Sequence, residues 1–272
     1  MPYKNYLLLL LALVLIAGCV DLKGVNKFAL TSQKTLAQPL PYGYGDYCYD
    51  SCYVYDNSTA QTRYPCDCSL AINFDTVVVR EGLRLSAYFS ALAKLSGSTD
   101  IINVDTLGSA IAAGNYGKIS VTASDVQIVS GVATAIQDLV TVNFKSKHIA
   151  DNLHRYSGKI DTAIGFFIVH LNALDGWGQN LWTDVKTQLL TYRVYAAPSA
   201  ERWAIDYAYM RELKELADRH VRMQKFIKLI TAVREGYHQL AINADDVKSK
   251  TLKQQLLALV NNITFLSNTT NN

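Results

Sequence analysis

The sequence predicts an all-α protein, an antiparallel bundle of long helices with a small disulfide-stapled loop region near its N-terminus. Three observations carry this expectation. Apolar residues in the C-terminal two thirds recur at alternating steps of three and four, the mark of helices with one apolar seam. No convincing β-hairpin signal and no internal repeat occurs. Four cysteines, Cys48, Cys52, Cys66 and Cys68, fall together in one tyrosine-rich stretch.

Residues 1–18 read as an export signal. Lys4 is the only charge, an apolar run follows from Leu7 to Ile16, and small residues lead to Cys19. The run is short for a spanning helix, which needs about 20 apolar residues. Residues 19–47 read as a flexible tether, with Gly24, Pro39, Pro41, Gly43 and Gly45 and no sustained periodicity.

Residues 48–68 form the stapled region. An even number of cysteines in an exported chain points to two disulfides. A Cys66–Cys68 bond would close a very tight ring, so bonds joining the Cys48/Cys52 pair to the Cys66/Cys68 pair are favoured. A four-thiolate zinc site is the competing reading, although C-x3-C followed by C-x-C departs from zinc-knuckle spacing. Tyr42, Tyr44, Tyr47, Tyr49, Tyr53, Tyr55 and Tyr64 either pack this staple against the helical body or present a binding surface.

Residues 69–267 are expected to form the bundle. A first helix spans 75–95 with Val78, Leu85, Phe89 and Leu92 on its stripe, and Gly97 ends it. A weaker apolar segment runs through Ile101, Leu107 and Ile111 toward Gly114 and Gly117. A new helix starts near Ser120, with Ile128, Val132, Ile136 and Leu139 in line.

The clearest seam is Ile149, Leu153, Tyr156, Ile160, Ile164, Phe167, Leu171 and Leu174. The Asp175-Gly176-Trp177-Gly178 stretch reads as a turn or kink, after which Leu181, Val185, Leu189 and Tyr192 resume the spacing. Pro198 ends that helix and Ser199 caps the next, whose stripe is Trp203, Tyr207, Met210, Leu213, Ala217, His220, Met223, Ile227 and Ile230, toward Tyr237. A last helix carries Leu252, Leu256, Leu259, Ile263 and Leu266, and residues 268–272 are expected to fray.

Ile16-Ala17-Gly18-Cys19 resembles the lipobox of bacterial lipoproteins. The resemblance covers only the first 19 residues or so. It implies cleavage before Cys19, acylation of its thiol, and a membrane as partner through that lipid. It leaves a mature chain of about 250 residues, enough for a sizeable core. Several acyl chains on one residue anchor stably where a single chain does not. Val20 rather than Asp follows the cysteine, which by the same resemblance favours the outer membrane in a Gram-negative source.

Function is less legible. The formal charge of +3 is nearly balanced and no long run of like charge occurs, so nothing points to nucleic acid. No nucleophile elbow, zinc-protease helix, P-loop or dinucleotide fingerprint is present, and no catalytic residue, metal or cofactor is expected. Glu235-Gly236-Tyr237-His238 matches the Glu-x-x-His unit of carboxylate metal sites and Asp151/His154 is a loose second copy, but both pairs sit beside their seams rather than on them and partner glutamates are missing at clear positions. His220 lies on an apolar stripe, where a histidine reads first as a core or boundary residue. His148 and His170 have no nucleophile near them in sequence. Gly165 to Leu174 is apolar nearly all round and reads as a helix buried centrally in the bundle.

The expectation is a non-enzymatic, lipid-anchored helical binding or scaffold protein with a protein or envelope partner. An enzyme whose site assembles only in the folded bundle, and a membrane-active helical protein of the pore-forming kind, are the alternatives.

Overall fold

The structure is a computed structural model, and it describes residues 22–49, 67–97, 123–140, 145–195 and 200–270. Among these residues six long helices are described: α1 (Lys23–Leu36), α2 (Ser69–Leu95), α3 (Ala123–Val140), α4 (Lys145–Tyr195), α5 (Ala200–Ile242) and α6 (Lys250–Thr270). A short helical segment at 44–49 and a 3-10 turn, Ala244–Asp246, accompany them. There is no strand among the described residues.

The long seam of α4 does what its spacing predicts. Ile149, Leu153, Tyr156, Ile160, Ile164, Phe167, Leu171 and Leu174 are all buried, because steps of three and four keep them on one side of the helix. α4 packs most extensively on α5, and also against α2 and α3. α5 in turn packs against α6, and α1 lies between α2 and α6. Val132, Ile136 and Leu139 are buried on α3, and Leu252, Leu256 and Ile263 on α6.

Aromatic side chains fill the centre. Phe28, Phe89, Tyr88 and Tyr237 meet edge to face with centroids 5.5–5.9 Å apart, the geometry favoured by ring quadrupoles. Their two hydroxyls are not left dry. The Tyr88 hydroxyl donates to Asn152 Oδ1 at 3.2 Å and lies 3.3 Å from that of Tyr237, and Asn152 Nδ2 donates to the Ala135 carbonyl. Four helices are thereby tied by one buried network. Burial raises both phenols above their ordinary value.

The expected tether at 19–47 is corrected over its described part. Residues 23–36 form α1, with Val25, Phe28, Ala29 and Leu36 in the core. Its apolar positions are helically spaced but diluted by Ser32, Gln33 and Thr35, which are buried with them. Asn26 locks the helix to the end of α2, donating to the Ala93 carbonyl at 2.9 Å. Only the short linker after Leu36 behaves as the prolines and glycines predict.

Other boundaries move as well. α2 begins at Ser69 rather than at 75, and it ends where Gly97 takes φ 113°, a left-handed conformation suited to a residue without Cβ. The turn expected at Asp175–Gly178 is absent, and α4 runs unbroken through it. A buried Asp175 and a close contact at Gly178 favour continuity there, as described below. α6 continues past Asn268 to Thr270. The segment through Ile101, Leu107 and Ile111, the start near Ser120, and Pro198 and Ser199 lie outside the described residues.

Candidate functional site

Two features stand out beyond the core: a clasp of polar and aromatic residues at the middle of α4, and an exposed apolar face on the arm beyond it.

The clasp is centred on Asp175, 5% exposed, in mid-helix. A buried carboxylate is costly unless hydrogen bonded. Here it accepts from three side chains, one before α2 and two on α5. The Tyr42 hydroxyl donates to Oδ1 at 3.1 Å, Gln224 Nε2 to Oδ2 at 2.8 Å, and His220 Nδ1 lies 2.9 and 3.0 Å from the two oxygens. Burial, with Tyr47 and Asp175 adding to it, raises the Tyr42 phenol well above its ordinary value, so this hydroxyl acts only as a donor toward the carboxylate.

The chain around Tyr42 is held on every side. Asp75 of α2 accepts from the backbone N–H groups of Tyr44 and Gly45 at 2.6 and 2.8 Å, capping the segment 44–49 from another helix. Burial raises the Asp75 carboxyl, and those two donors partly offset it. The Tyr44 ring lies edge-on to Phe74 and Trp177, and its phenol is pushed up to about 12 by burial and by Asp75. Tyr47 fits against Gly178, where a Cβ would overlap its hydroxyl. Cys48 is bonded to Cys68. That bond joins the two cysteine pairs as expected and removes two of the four thiolates a zinc site needs. Cys52 and Cys66 lie outside the described residues, as do Cys19, Tyr53, Tyr55 and Tyr64. Tyr42, Tyr44 and Tyr47 thus pack the staple onto the bundle, while Tyr49 is 56% exposed.

Beside this clasp, His170 Nδ1 lies 2.8 Å from Glu81 Oε2, tying α4 to α2. The Gly165–Leu174 stretch is not buried all round. Phe167 and Leu171 face the core, whereas Val169 is 59% exposed. Among the described residues, no helix is long and apolar enough to cross a membrane.

The Glu-x-x-His pairs do not converge. Asp151, Glu235 and His238 are exposed on their own helices, and His154 is engaged by Asp245 at 2.8 Å. No group of three or more His, Cys, Asp and Glu gathers among the described residues. His220 is a boundary residue on its seam, and the carboxylate that holds it, Asp175, is 45 residues away in the chain. Sequence spacing could have flagged Asp175 as a charge next to the Leu174 seam position, but not its three donors.

The arm is the distal part of the α4–α5 hairpin. Leu181 and Val185 share a buried cluster with Leu216, Leu213 packs against it, Leu189 is buried further along α4, and Arg193 Nε donates to both carboxylate oxygens of Asp206 near the tip. The stripe expected to be buried on α5 is corrected here. Trp203, Tyr207 and Met210 are 72, 62 and 51% exposed, and Ala217 is exposed as well. Trp203 and Tyr207 stack on each other at 5.9 Å instead. Leu190 and Val194 of α4 are 52 and 76% exposed. The core-facing line is the one through Leu213, Leu216, His220 and Met223, one position before the exposed line.

No protein-family model, no curated protein and no solved structure matches this chain, so the class of protein is defined by its own geometry. It is an all-α bundle whose longest hairpin projects an apolar arm.

Proposed function

We propose that the protein is a lipid-anchored helical binding protein of the bacterial cell envelope, held through Cys19 and presenting the α4–α5 arm to a partner. The observation that carries this reading is the exposed face formed by Leu190, Val194, Trp203, Tyr207 and Met210. Contiguous exposed apolar residues on an otherwise well-packed chain mark contact surfaces.

The position of the arm fits an anchor at the other end. α1 starts at Lys23, close to Cys19 in the chain; its Gly24 lies against Lys253 and its Phe28 against Gly236. From Gly236 to Trp203, α5 extends about 50 Å at 1.5 Å per residue. A lipid on Cys19 would sit at the α1 end, with the apolar face displaced along the bundle. In this reading the histidine–carboxylate pairs, His220–Asp175 and His170–Glu81, are ties between helices that keep the arm rigid.

Two experiments test the proposal. Cys19→Ser should abolish lipid labelling and signal processing; continued labelling would refute the anchor. A photocrosslinking amino acid at Tyr207 should trap a specific envelope component in cells, while the same group at Asp184, on the opposite side of the arm, should not. Equal or absent crosslinking at both positions would count against the arm as the binding surface.

A further inference from the structure

The arm face has a definite shape. Trp203, Tyr207, Met210, Lys214, Ala217 and Val221 follow one another at steps of four, three, four, three and four, and all are exposed. That is a heptad seam, two positions in seven, running beside the buried seam of the same helix. In an antiparallel pair of right-handed helices, the residue just after a buried seam position points to the same side of the pair in both helices. Leu190 follows buried Leu189, Met210 follows Tyr209, Lys214 follows Leu213, and Ala217 follows Leu216. Leu190 of α4 and this seam of α5 therefore share one side, with Val194 one turn beyond Leu190. Asp175, after Leu174, and Gln224, after Met223, mark the same side nearer the bundle, and they are hydrogen bonded to each other. At that level the side is covered by the chain's own Tyr42. Beyond it, the side is open among the described residues.

We infer that this open seam is the docking groove for an amphipathic helix of a partner protein, with Asp and Glu flanking the helix's apolar stripe. The inference rests on the binding-protein reading above and names the class of partner. A narrow heptad seam is complemented by another heptad seam, whereas a face that lies in a lipid surface is broader. Charged residues in and beside the seam set its sign. Lys186 and Lys214 stand on the open side, Lys186 with its ammonium 4.8 Å from the Trp182 ring. The nearby carboxylates are engaged within the arm, Asp206 by Arg193 and Glu215 by Arg219, with Arg211 and Arg222 also acting on Glu215. Asp218 is exposed on the outer flank, on the same helix as Arg211 and Arg222. The surplus is positive. A second copy meeting this face about a twofold axis would bring lysines toward lysines, which disfavours self-association.

The test uses the full chain and two labelled synthetic peptides of about three heptads, with leucine at the seam positions and either Glu or Lys at the flanks. Fluorescence anisotropy should show the Glu-flanked peptide binding at least about tenfold more tightly than its Lys-flanked twin. Tyr207→Ser with Met210→Ser should weaken that binding by about tenfold or more, since exposed seam residues carry the contact. Ala208→Ser, beside the seam, should leave it unchanged, and an unaltered unfolding midpoint confirms that all variants fold.

Equal binding of the two peptides overturns the acidic partner. Concentration-dependent dimerisation lost in the double variant makes a second copy the occupant. Co-sedimentation with phosphatidylglycerol–phosphatidylcholine vesicles, lost in the same variant, makes it a lipid surface. If neither peptide binds while the photocrosslinker at position 207 still traps a specific envelope component in cells, the helix inference fails and the binding-protein reading stands.

Discussion

The Tyr42 hydroxyl donates to Oδ1 of Asp175 at 3.1 Å, joining residues 133 positions apart in the chain. This bond closes the N-terminal segment over a carboxylate that would otherwise be stranded in the middle of α4. Its removal separates two effects. Tyr42→Phe keeps the ring and loses one donor, for an expected loss of about 1 kcal/mol. Asp175→Leu removes the acceptor from Tyr42, Gln224 and His220 together, for an expected loss of about 2–4 kcal/mol. Urea unfolding of the two variants measures the difference, and equal losses would show that Asp175 is not the hub.

The helical glycines divide by what surrounds them. A Cβ at Gly178 would overlap the Tyr47 hydroxyl, and one at Gly236 would overlap the Phe28 ring. Alanine at either position should destabilise by about 1–3 kcal/mol, despite its better helix propensity. Gly158 and Gly176 of α4 have open space where a Cβ would stand. Alanine there should stabilise by about 0.5–1 kcal/mol. Thermal unfolding of the four variants reads opposite signs from one chemical change.

The Cys48–Cys68 bond spans 20 residues of chain. Closing a loop of that length restricts the unfolded state by about 3 kcal/mol in the chain-entropy model. Replacing both cysteines by alanine should lower stability by about that amount under oxidising conditions. Reduction should then lower the stability of the native chain more than that of the variant.

Arg234 donates through Nε and Nη2 to the Asp161 carboxylate at 3.0 and 2.8 Å. The bidentate contact holds the Asp161 carboxyl below its ordinary value of 3.8. The folded form thus binds its proton less readily than the unfolded form. The stabilisation is present above the unfolded value and is lost as pH falls through the folded one. Both side chains are partly exposed, so Asp161→Asn should cost only about 0.5–1 kcal/mol at neutral pH. The gap between native and variant stability should close below about pH 4, which paired denaturation curves across that range would show.

The periodic residues made much of the architecture legible. Ile149 through Leu174 announce α4 because every apolar step returns to one side of a helix, and that is the side the bundle buries. Gly97 ends α2 for an equally local reason, since a left-handed residue without Cβ carries no steric penalty. α1 was hidden because Ser32, Gln33 and Thr35 share its buried face, and only neighbouring helices make polar positions interior. The Asp175-Gly176-Trp177-Gly178 run carries turn-forming residues, yet contacts from Tyr42, Gln224 and Tyr47 hold it within a helix.

Local spacing and covalent chemistry are therefore enough to specify the helical class, the seam of α4, the exit of α2, and the pairing of a cysteine of the Cys48/Cys52 pair with one of the Cys66/Cys68 pair. They do not specify which of two apolar lines on α5 is buried. The lines through Met210 and Leu213 are both helically spaced, and the choice belongs to α4, whose Leu181 and Val185 share a buried cluster with the Leu213–Leu216 line and leave the other to solvent. The same packing gathered Tyr42, His220 and Gln224 around Asp175, because a carboxylate withdrawn from water takes its donors from whatever elements the fold brings within reach.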